Sequence, residues 1–280
     1  MSGQLESSRH PALALEALEG ARGSMRDILG SLRNAERLLR SVRVGPKALS
    51  SVVPLLHASC GPLRDSWQLV ESVLGTRFPD SVPALGAFVI PRIDELEMAL
   101  TAALRGPLNA KQRLALEKVV VRAAADLDSA RALMDLLRDA LGGPPAVVDL
   151  WELTRETFQA RDDQSDESGE TLVATLEAGE SVELSVNPRV AMVLIAIGVK
   201  VVAVDHPGVP HVAIRRMLGR ECGVVITRAA GEGDALLLRL PRLIAPTLEC
   251  ARAAAAATRG RLDVAEDRSQ VSLIWSAAGE

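Results

Sequence analysis

The sequence has few aromatic residues, few cysteines and no long apolar run. Tyrosine is absent, and three Trp and three Phe are the only aromatic residues among 280, so Leu, Val and Ala must fill most of the core. Cys60, Cys222 and Cys250 are widely spaced and form no Cys-x-x-Cys pair. This pattern argues against a disulfide framework or a zinc site, and we expect reduced cysteines in the core.

Basic residues are not concentrated in any one stretch of the chain. The net charge is −4, and basic residues alternate with acidic ones along the predicted helices, so a nucleic-acid partner is not expected. No apolar run reaches the ~20 residues needed to cross a bilayer, and the first residues lack the apolar centre of a signal peptide. We therefore expect no membrane segment and a cytoplasmic location.

The N-terminal segment, residues 1–45, is predicted to be a helix or a broken pair of helices. Its apolar residues recur at helical spacing up to Val44-Gly45-Pro46. Three glycines at positions 20, 23 and 30 lower its intrinsic helicity by about 1 kcal/mol each relative to Ala. Packing against other helices must therefore support this segment.

Residues 46–145 contain two segments whose apolar residues alternate at spacings of four and three, as in the seam of a helical bundle. The first seam is Leu56, Cys60, Leu63, Trp67, Val70 and Leu74, and the second is Leu116, Val120, Ala123, Leu127, Ala130, Met134, Leu137 and Leu141. A hairpin of two such helices cannot bury both seams alone. We expect two hairpins to form a four-helix bundle in a homodimer; a bundle within one chain that uses residues 10–40 is the alternative.

Residues 146–280 change character after Gly142-Gly143-Pro144-Pro145. A short helix in VVDLWELTRETFQA and an acidic loop are followed by alternating segments typical of strands. Helices are predicted from Pro188 and in PTLECARAAAAATRG, and GEGD at 231–234 is predicted to be a hairpin turn between two strands. This pattern predicts an α+β sandwich with helices on one face of a mixed sheet.

One short motif stands on the first seam helix: His57, four residues, then Pro62-Leu63. His57 is one residue off the seam, and one residue turns ~100° around a helix, so its ring should face the flank or solvent. The motif, the two seam helices and the sandwich resemble the sensor histidine kinases over roughly residues 46 to 280. The resemblance implies that His57 accepts a phosphoryl group and that Pro62 kinks the helix beside it.

The sequence departs from that family at the positions where the family has its catalytic and nucleotide-binding residues. Ala58 stands where the family has an acidic residue next to the histidine. Ala196 and Lys200 stand where the family's asparagines bind magnesium and the ATP phosphates, and we expect the Lys200 charge to lie in water. Pro241 stands where the adenine-reading Asp-x-Gly-x-Gly segment should follow. No metal site and no nucleotide cofactor are expected.

We therefore expect an α+β protein: a helical hairpin forming a dimeric four-helix bundle, followed by a histidine-kinase-ATPase-like sandwich without its ATP site. The first functional hypothesis is a histidine phosphotransferase that relays phosphoryl groups between response-regulator receiver domains through His57. The second is a pseudokinase scaffold that binds signalling partners without transfer, with His57 as an ordinary surface histidine. An autokinase with an altered nucleotide site is the third.

Overall fold

The computed structural model describes residues 3–40, 46–105, 109–159, 170–177, 181–204, 209–217, 221–228, 234–240 and 243–276. The chain divides into two compact units, and along the N-terminal part the division falls between Asp135 and Leu136. The described residues of the N-terminal unit are helical, and residues 3–40 belong to the same unit as the seam helices that follow them. The strands formed by the described residues lie in the second unit.

The described residues of the N-terminal unit form the helices α1 (Gly3–Arg40), α2 (Pro46–Leu74), α3 (Ser81–Leu104) and most of α4 (Ala110–Gly142), whose residues after Asp135 belong to the second unit. α2 packs against α1 on one side and against α3 on the other. Ion pairs join α4 to both α1 and α3. Arg92 Nε of α3 lies 2.9 Å from Asp126 Oδ2 of α4, and Arg22 Nε of α1 lies 2.6 Å from Asp135 Oδ1 of α4.

Each of these helices buries one apolar seam. All six predicted seam residues of α2 are buried, and so are the predicted seam residues of α4 from Leu116 to Leu137; Leu141 is half-buried. α1 and α3 supply the facing side chains: Leu18, Met25, Ile28, Leu32, Leu39, Val82, Leu85, Val89, Ile93, Leu96 and Leu100. The bundle is thus built within one chain, which was the alternative. Because the seams are buried within the chain, a homodimer is not needed to cover them. The homodimer stays a prediction.

Local sequence explains the start of α4 and the course of α2. Asn109 and Gln112 cap α4 reciprocally: each side-chain oxygen accepts a hydrogen bond from the other residue's backbone N–H, at 2.9 and 3.0 Å. α2 runs unbroken through Pro54 and Pro62. The helix begins at Pro46, and the kink at Pro62 stays a prediction.

The described residues of the second unit form eight strands and three helices, and the sequence pattern predicts five of these strands but not β1, β4 or β7. The strands are β1 (Ala146–Asp149), β2 (Glu170–Leu176), β3 (Glu183–Val186), β4 (His211–Arg216), β5 (Glu221–Thr227), β6 (Asp234–Leu240), β7 (Gly260–Val264) and β8 (Gln270–Ser276). The helices are α5 (Leu150–Gln159), α6 (Pro188–Val204) and α7 (Thr247–Ala257). Residues 147–149, predicted to begin a helix, belong to β1 because Val147 and Val148 pair with β3. α5 starts after Asp149, whose Oδ1 accepts the Trp151 N–H at 2.8 Å.

The main sheet has six strands in the order β6-β2-β4-β5-β8-β7. β2 and β4 are parallel and every other neighbouring pair is antiparallel, so the sheet is mixed, as predicted. α6 contacts both α5 and α7, and all three helices contact the sheet. They therefore form one layer on it, and the predicted α+β sandwich is confirmed.

The hairpin predicted at GEGD is wrong. β5 and β6, the strands that this segment joins, are not neighbours: β5 lies between β4 and β8, while β6 pairs with β2 at the sheet edge. Residues 231–233 lie outside the described residues. A turn signal identifies a change of direction, but it does not say which strand the next segment will join.

In the bundle core, replacing Leu63 of α2 by Ala should lower the free energy of unfolding by about 3 kcal/mol, because a fully buried leucine leaves a cavity when it is truncated. Leu69 on the same helix is 51% exposed, and Leu69→Ala should change stability by less than about 0.5 kcal/mol. Urea unfolding followed by circular dichroism measures both variants. Equal effects would contradict this packing of α2.

In the sheet, Gly223→Ala should destabilise the protein by about 2 kcal/mol, since a side chain there meets fixed backbone. A Cβ at Gly223 of β5 would lie 2.2 Å from the Leu273 carbonyl oxygen of β8. The control is Gly30→Ala in α1, where an added Cβ would have no atom within 4 Å. This substitution should stabilise the protein by about 1 kcal/mol, because alanine favours the helix more than glycine does. Thermal unfolding of both variants checks the opposite signs.

Candidate functional site

His57 occupies the flank of α2, as its place in the sequence predicts. The preceding residue, Leu56, is fully buried in the bundle, whereas the His57 side chain is 43% exposed. Pro62 is exposed on the outer side of the same helix. The imidazole is therefore held by a rigid helix and remains accessible to a partner.

A carboxylate from the neighbouring helix faces this ring. Glu97 of α3 places Oε1 3.5 Å from His57 Nε2. The sequence has alanine directly after His57, so no neighbouring residue in α2 supplies this acid. The packing of α3 on α2 supplies it instead.

Arg64 holds the same carboxylate from the other side. It lies two turns after His57 on α2, and its guanidinium donates to Glu97 Oε2 and, at 2.5 Å, to Asp94 Oδ1. Its hydrogen bonds with Glu97 and then with Asp94 hold the pKa of Arg64 above its ordinary value. We name these four residues, His57, Arg64, Asp94 and Glu97, the α2–α3 charge cluster.

Cys60 lies in the core near this cluster. Burial is the largest influence on its thiol, the charges of Glu97 and Asp94 act in the same direction, and the charge of Arg64 opposes them. Together they raise the pKa of Cys60 from 9.0 to about 11. The thiol is therefore neutral at physiological pH and is a packing residue.

The surface around the charge cluster is partly apolar. Leu55 and Leu69 of α2 and Met98 of α3 are more than half exposed. A shallow depression of about 410 Å³ on α3 is lined by Glu97, Met98, Thr101, Ala102 and Arg105. Exposed apolar side chains beside charged ones are typical of a surface that binds another protein.

The predicted remnants of a nucleotide site lie in the second unit. Ala196 and Lys200 are one turn apart on α6, which is apolar and largely buried. Lys200 is 3% exposed, so the expectation that its charge lies in water is wrong. Pro241 lies outside the described residues. Neither described side chain offers an oxygen ligand for magnesium.

Among the residues that the structure describes, no group of three or more His, Cys, Asp or Glu side chains is placed to hold a metal ion. None of the helices in these parts of the chain combines the length and the apolar character needed to cross a membrane.

Sequence reasoning identified His57 and missed its partners. Every member of the charge cluster directly follows a buried seam residue: Leu56, Leu63, Ile93 and Leu96 precede His57, Arg64, Asp94 and Glu97. The sequence alone shows that each of these residues lies beside a seam. It predicts contacts between them only if α3 is known to pack against α2.

Comparisons with known proteins leave the chain without an assigned family. No family model matches the sequence, and no curated protein matches it. Among solved structures the chain is similar to the histidine kinase AdeS of Acinetobacter baumannii, with 17% identity, 67% of this chain and 96% of that chain covered, and a TM-score of 0.41.

The raised pKa of Cys60 predicts slow alkylation in the folded protein. At pH 8 only roughly a thousandth of a thiol with a pKa of about 11 is ionised. Iodoacetamide should therefore label Cys60 at least about 100-fold more slowly in the native protein than in urea, where the thiol is ordinary and exposed. Peptide mass spectrometry measures the rates, and equal rates would contradict this placement.

The raised pKa of Cys60 also makes the stability of the protein depend on pH. Because the unfolded chain ionises this thiol at lower pH than the folded chain, the stability that depends on the neutral thiol is lost as pH rises from about 9 towards 11. Cys60→Ala should remove this part of the alkaline loss of stability. Unfolding curves at a series of pH values measure it.

Proposed function

We propose that the protein is an ATP-independent histidine phosphotransferase in which His57 carries phosphoryl groups between response-regulator receiver domains. The observation that carries the proposal is the contact of Glu97 Oε1 with His57 Nε2, at 3.5 Å, on a ring that solvent reaches. A neutral imidazole has one protonated nitrogen and one with a free lone pair. A carboxylate that holds the proton on one nitrogen leaves the other available as a nucleophile.

The residues on α6 support independence from ATP. Phosphoryl transfer from ATP needs a held magnesium ion and donors around the phosphates. Ala196 has no ligand atom and Lys200 carries a positive charge, so this helix lacks the magnesium ligands that the histidine-kinase resemblance would require. A phosphorylated receiver would bring both the activated phosphoryl group and its own metal site, and this chain would need to supply only the imidazole.

The exposed face of α2 supports a protein partner. Leu55, Pro62 and Leu69 are spaced by seven residues, so they share one side of the helix, and all three are exposed. This apolar line equally supports the second candidate function, a scaffold that binds signalling partners and transfers nothing. A homodimer that uses part of this face is also a proposal.

The decisive experiment follows a labelled phosphoryl group. Candidate receivers labelled on their aspartate are mixed with the protein, and acid-labile, base-stable label is followed on it. The wild-type chain should take up label, and His57→Gln should lower the rate of uptake at least about 100-fold because the nucleophile is gone.

Two controls separate the candidate functions. His211→Gln removes a histidine of the second unit and should leave transfer unchanged. Binding of the receivers should also survive His57→Gln, since the apolar face is intact. Receiver binding without any label on the wild-type protein would overturn the phosphotransferase and favour the scaffold; label from ATP and magnesium alone would overturn ATP independence.

A further inference from the structure

We propose that one edge of the main sheet binds a second copy of this chain. Strand β7 of each copy pairs antiparallel with β7 of the other, across a twofold axis at Leu262. This interface goes beyond the proposed function and does not depend on it, because it uses neither His57 nor the exposed face of α2.

The hydrogen bonds of β7 show which of its backbone groups face the open edge. β7 is the last strand of the sheet, so among the described residues only β8 pairs with it. The pairing continues just past the strand, where the Ala265 N–H donates to the Gln270 carbonyl oxygen at 3.0 Å. In an antiparallel pair, residues bonded to the neighbouring strand alternate with residues whose N–H and C=O groups point away from it.

This alternation makes the edge of β7 symmetrical about its central residue. Given the bond at Ala265, the N–H and C=O groups of Gly260, Leu262 and Val264 point away from β8. In the twofold pair, Leu262 lies opposite the partner's Leu262, and Gly260 lies opposite the partner's Val264. Each opposed pair can exchange both of its N–H···O bonds. Every edge-facing backbone group of the strand therefore gains a partner without a bulge.

The charged side chains of β7 complement each other in the same register. Arg261 and Asp263 stand on either side of Leu262, and their side chains are 54% and 60% exposed. The twofold pairing sets Arg261 opposite the partner's Asp263, in pairs of the non-hydrogen-bonded kind, where side chains are closest. Opposite charges directly across two strands stabilise the pairing. A parallel pairing in register would instead set arginine opposite arginine, so the charges favour the antiparallel arrangement.

Contacts within one chain already hold the Arg261 side chain on the face of the sheet. Its guanidinium donates to Asp263 Oδ2 at 3.1 Å and to the two carboxylate oxygens of Glu221 at 3.1 and 3.3 Å. The dimer would join the Arg261 and Asp263 side chains of both copies into one network, and networks of charges stabilise more than isolated exposed pairs. Charges on an edge strand usually prevent pairing with other strands. Here their opposite signs, two residues apart, permit pairing with a second copy.

The layer of helices also permits this pairing. The twofold axis is perpendicular to the sheet, so the two copies of α7 lie on the same face of the joined sheet. α7 contacts β7, and it has exposed alanines at Ala256 and Ala257. Their short side chains allow two helices to approach closely.

Sedimentation equilibrium of the full chain over a range of concentrations measures the association. The wild-type protein should show a concentration-dependent monomer–dimer equilibrium. Arg261→Asp and Asp263→Arg each set like charges opposite each other, so each should raise the Kd of the dimer at least about tenfold. Arg216→Asp is the matched control for Arg261→Asp, because Arg216 is an exposed residue of β4, and two strands separate β4 from β7. It should leave Kd unchanged.

A mixture of the two charge-reversal variants distinguishes a lost contact from a damaged fold. In the mixed dimer, Arg261→Asp supplies two acidic side chains and Asp263→Arg supplies two basic ones, so both cross-strand pairs have opposite charges. The mixture should associate at least about tenfold more tightly than either variant alone. A wild-type protein that stays monomeric at about 100 μM, a dimer that Arg261→Asp leaves unchanged, or a mixture that associates no better than its components would overturn the inference.

Disulfide trapping tests the register of the pairing. Opposed Cα atoms in a non-hydrogen-bonded pair are about 4.5 Å apart, a distance that a disulfide can span. A mixture of Arg261→Cys and Asp263→Cys should therefore cross-link in oxidised glutathione. Either variant alone should not, since its two new thiols are offset by two residues along the strands. Cys60, Cys222 and Cys250 are buried, and the wild-type chain measures their background. A wild-type dimer without a cross-link in the mixture would overturn the assignment to β7.

Discussion

The burial of four apolar seams within one chain is the constraint on which the rest of the N-terminal unit depends. A long helix with internal glycines, such as α1, gains little stability from its own hydrogen bonds in water. It forms because its seam, from Leu18 to Leu39, closes the apolar groove left by the other helices. Once the seams face inward, the rotation of every helix about its axis is set, and so is the side on which each polar residue lies.

The α2–α3 charge cluster is a consequence of that rotation. Its members stand beside the seam, so they meet in the groove where the two helices touch. Two carboxylates and one guanidinium leave a net negative charge beside the imidazole. The cluster places a carboxylate of a neighbouring helix beside His57, whereas α2 itself has alanine at position 58.

The core of the second unit depends on the close packing of α6 against the sheet. Gly198 lets α6 lie close to the sheet, where an added Cβ would come within 2.6 Å of Ile226. The rest of α6 is apolar and buried, and it packs between α5 and α7. A helix used in this way contributes to the core of the sandwich, and a buried alanine and lysine are compatible with that role but not with holding magnesium.

The sequence by itself determined the fold class, both bundle seams, the flank position of His57 and the lack of magnesium ligands on α6. These follow from periodicity and from the chemistry of single residues, which neighbours in space do not change. Only the tertiary structure decided that the bundle closes within one chain, that β6 pairs with β2 and that Glu97 and Arg64 meet His57. The residues that meet in these contacts are 30 or more positions apart in the sequence. A local sequence pattern does not indicate which helix or strand will be the neighbour of another. Their pairing is settled by how the whole chain buries its apolar surface at once.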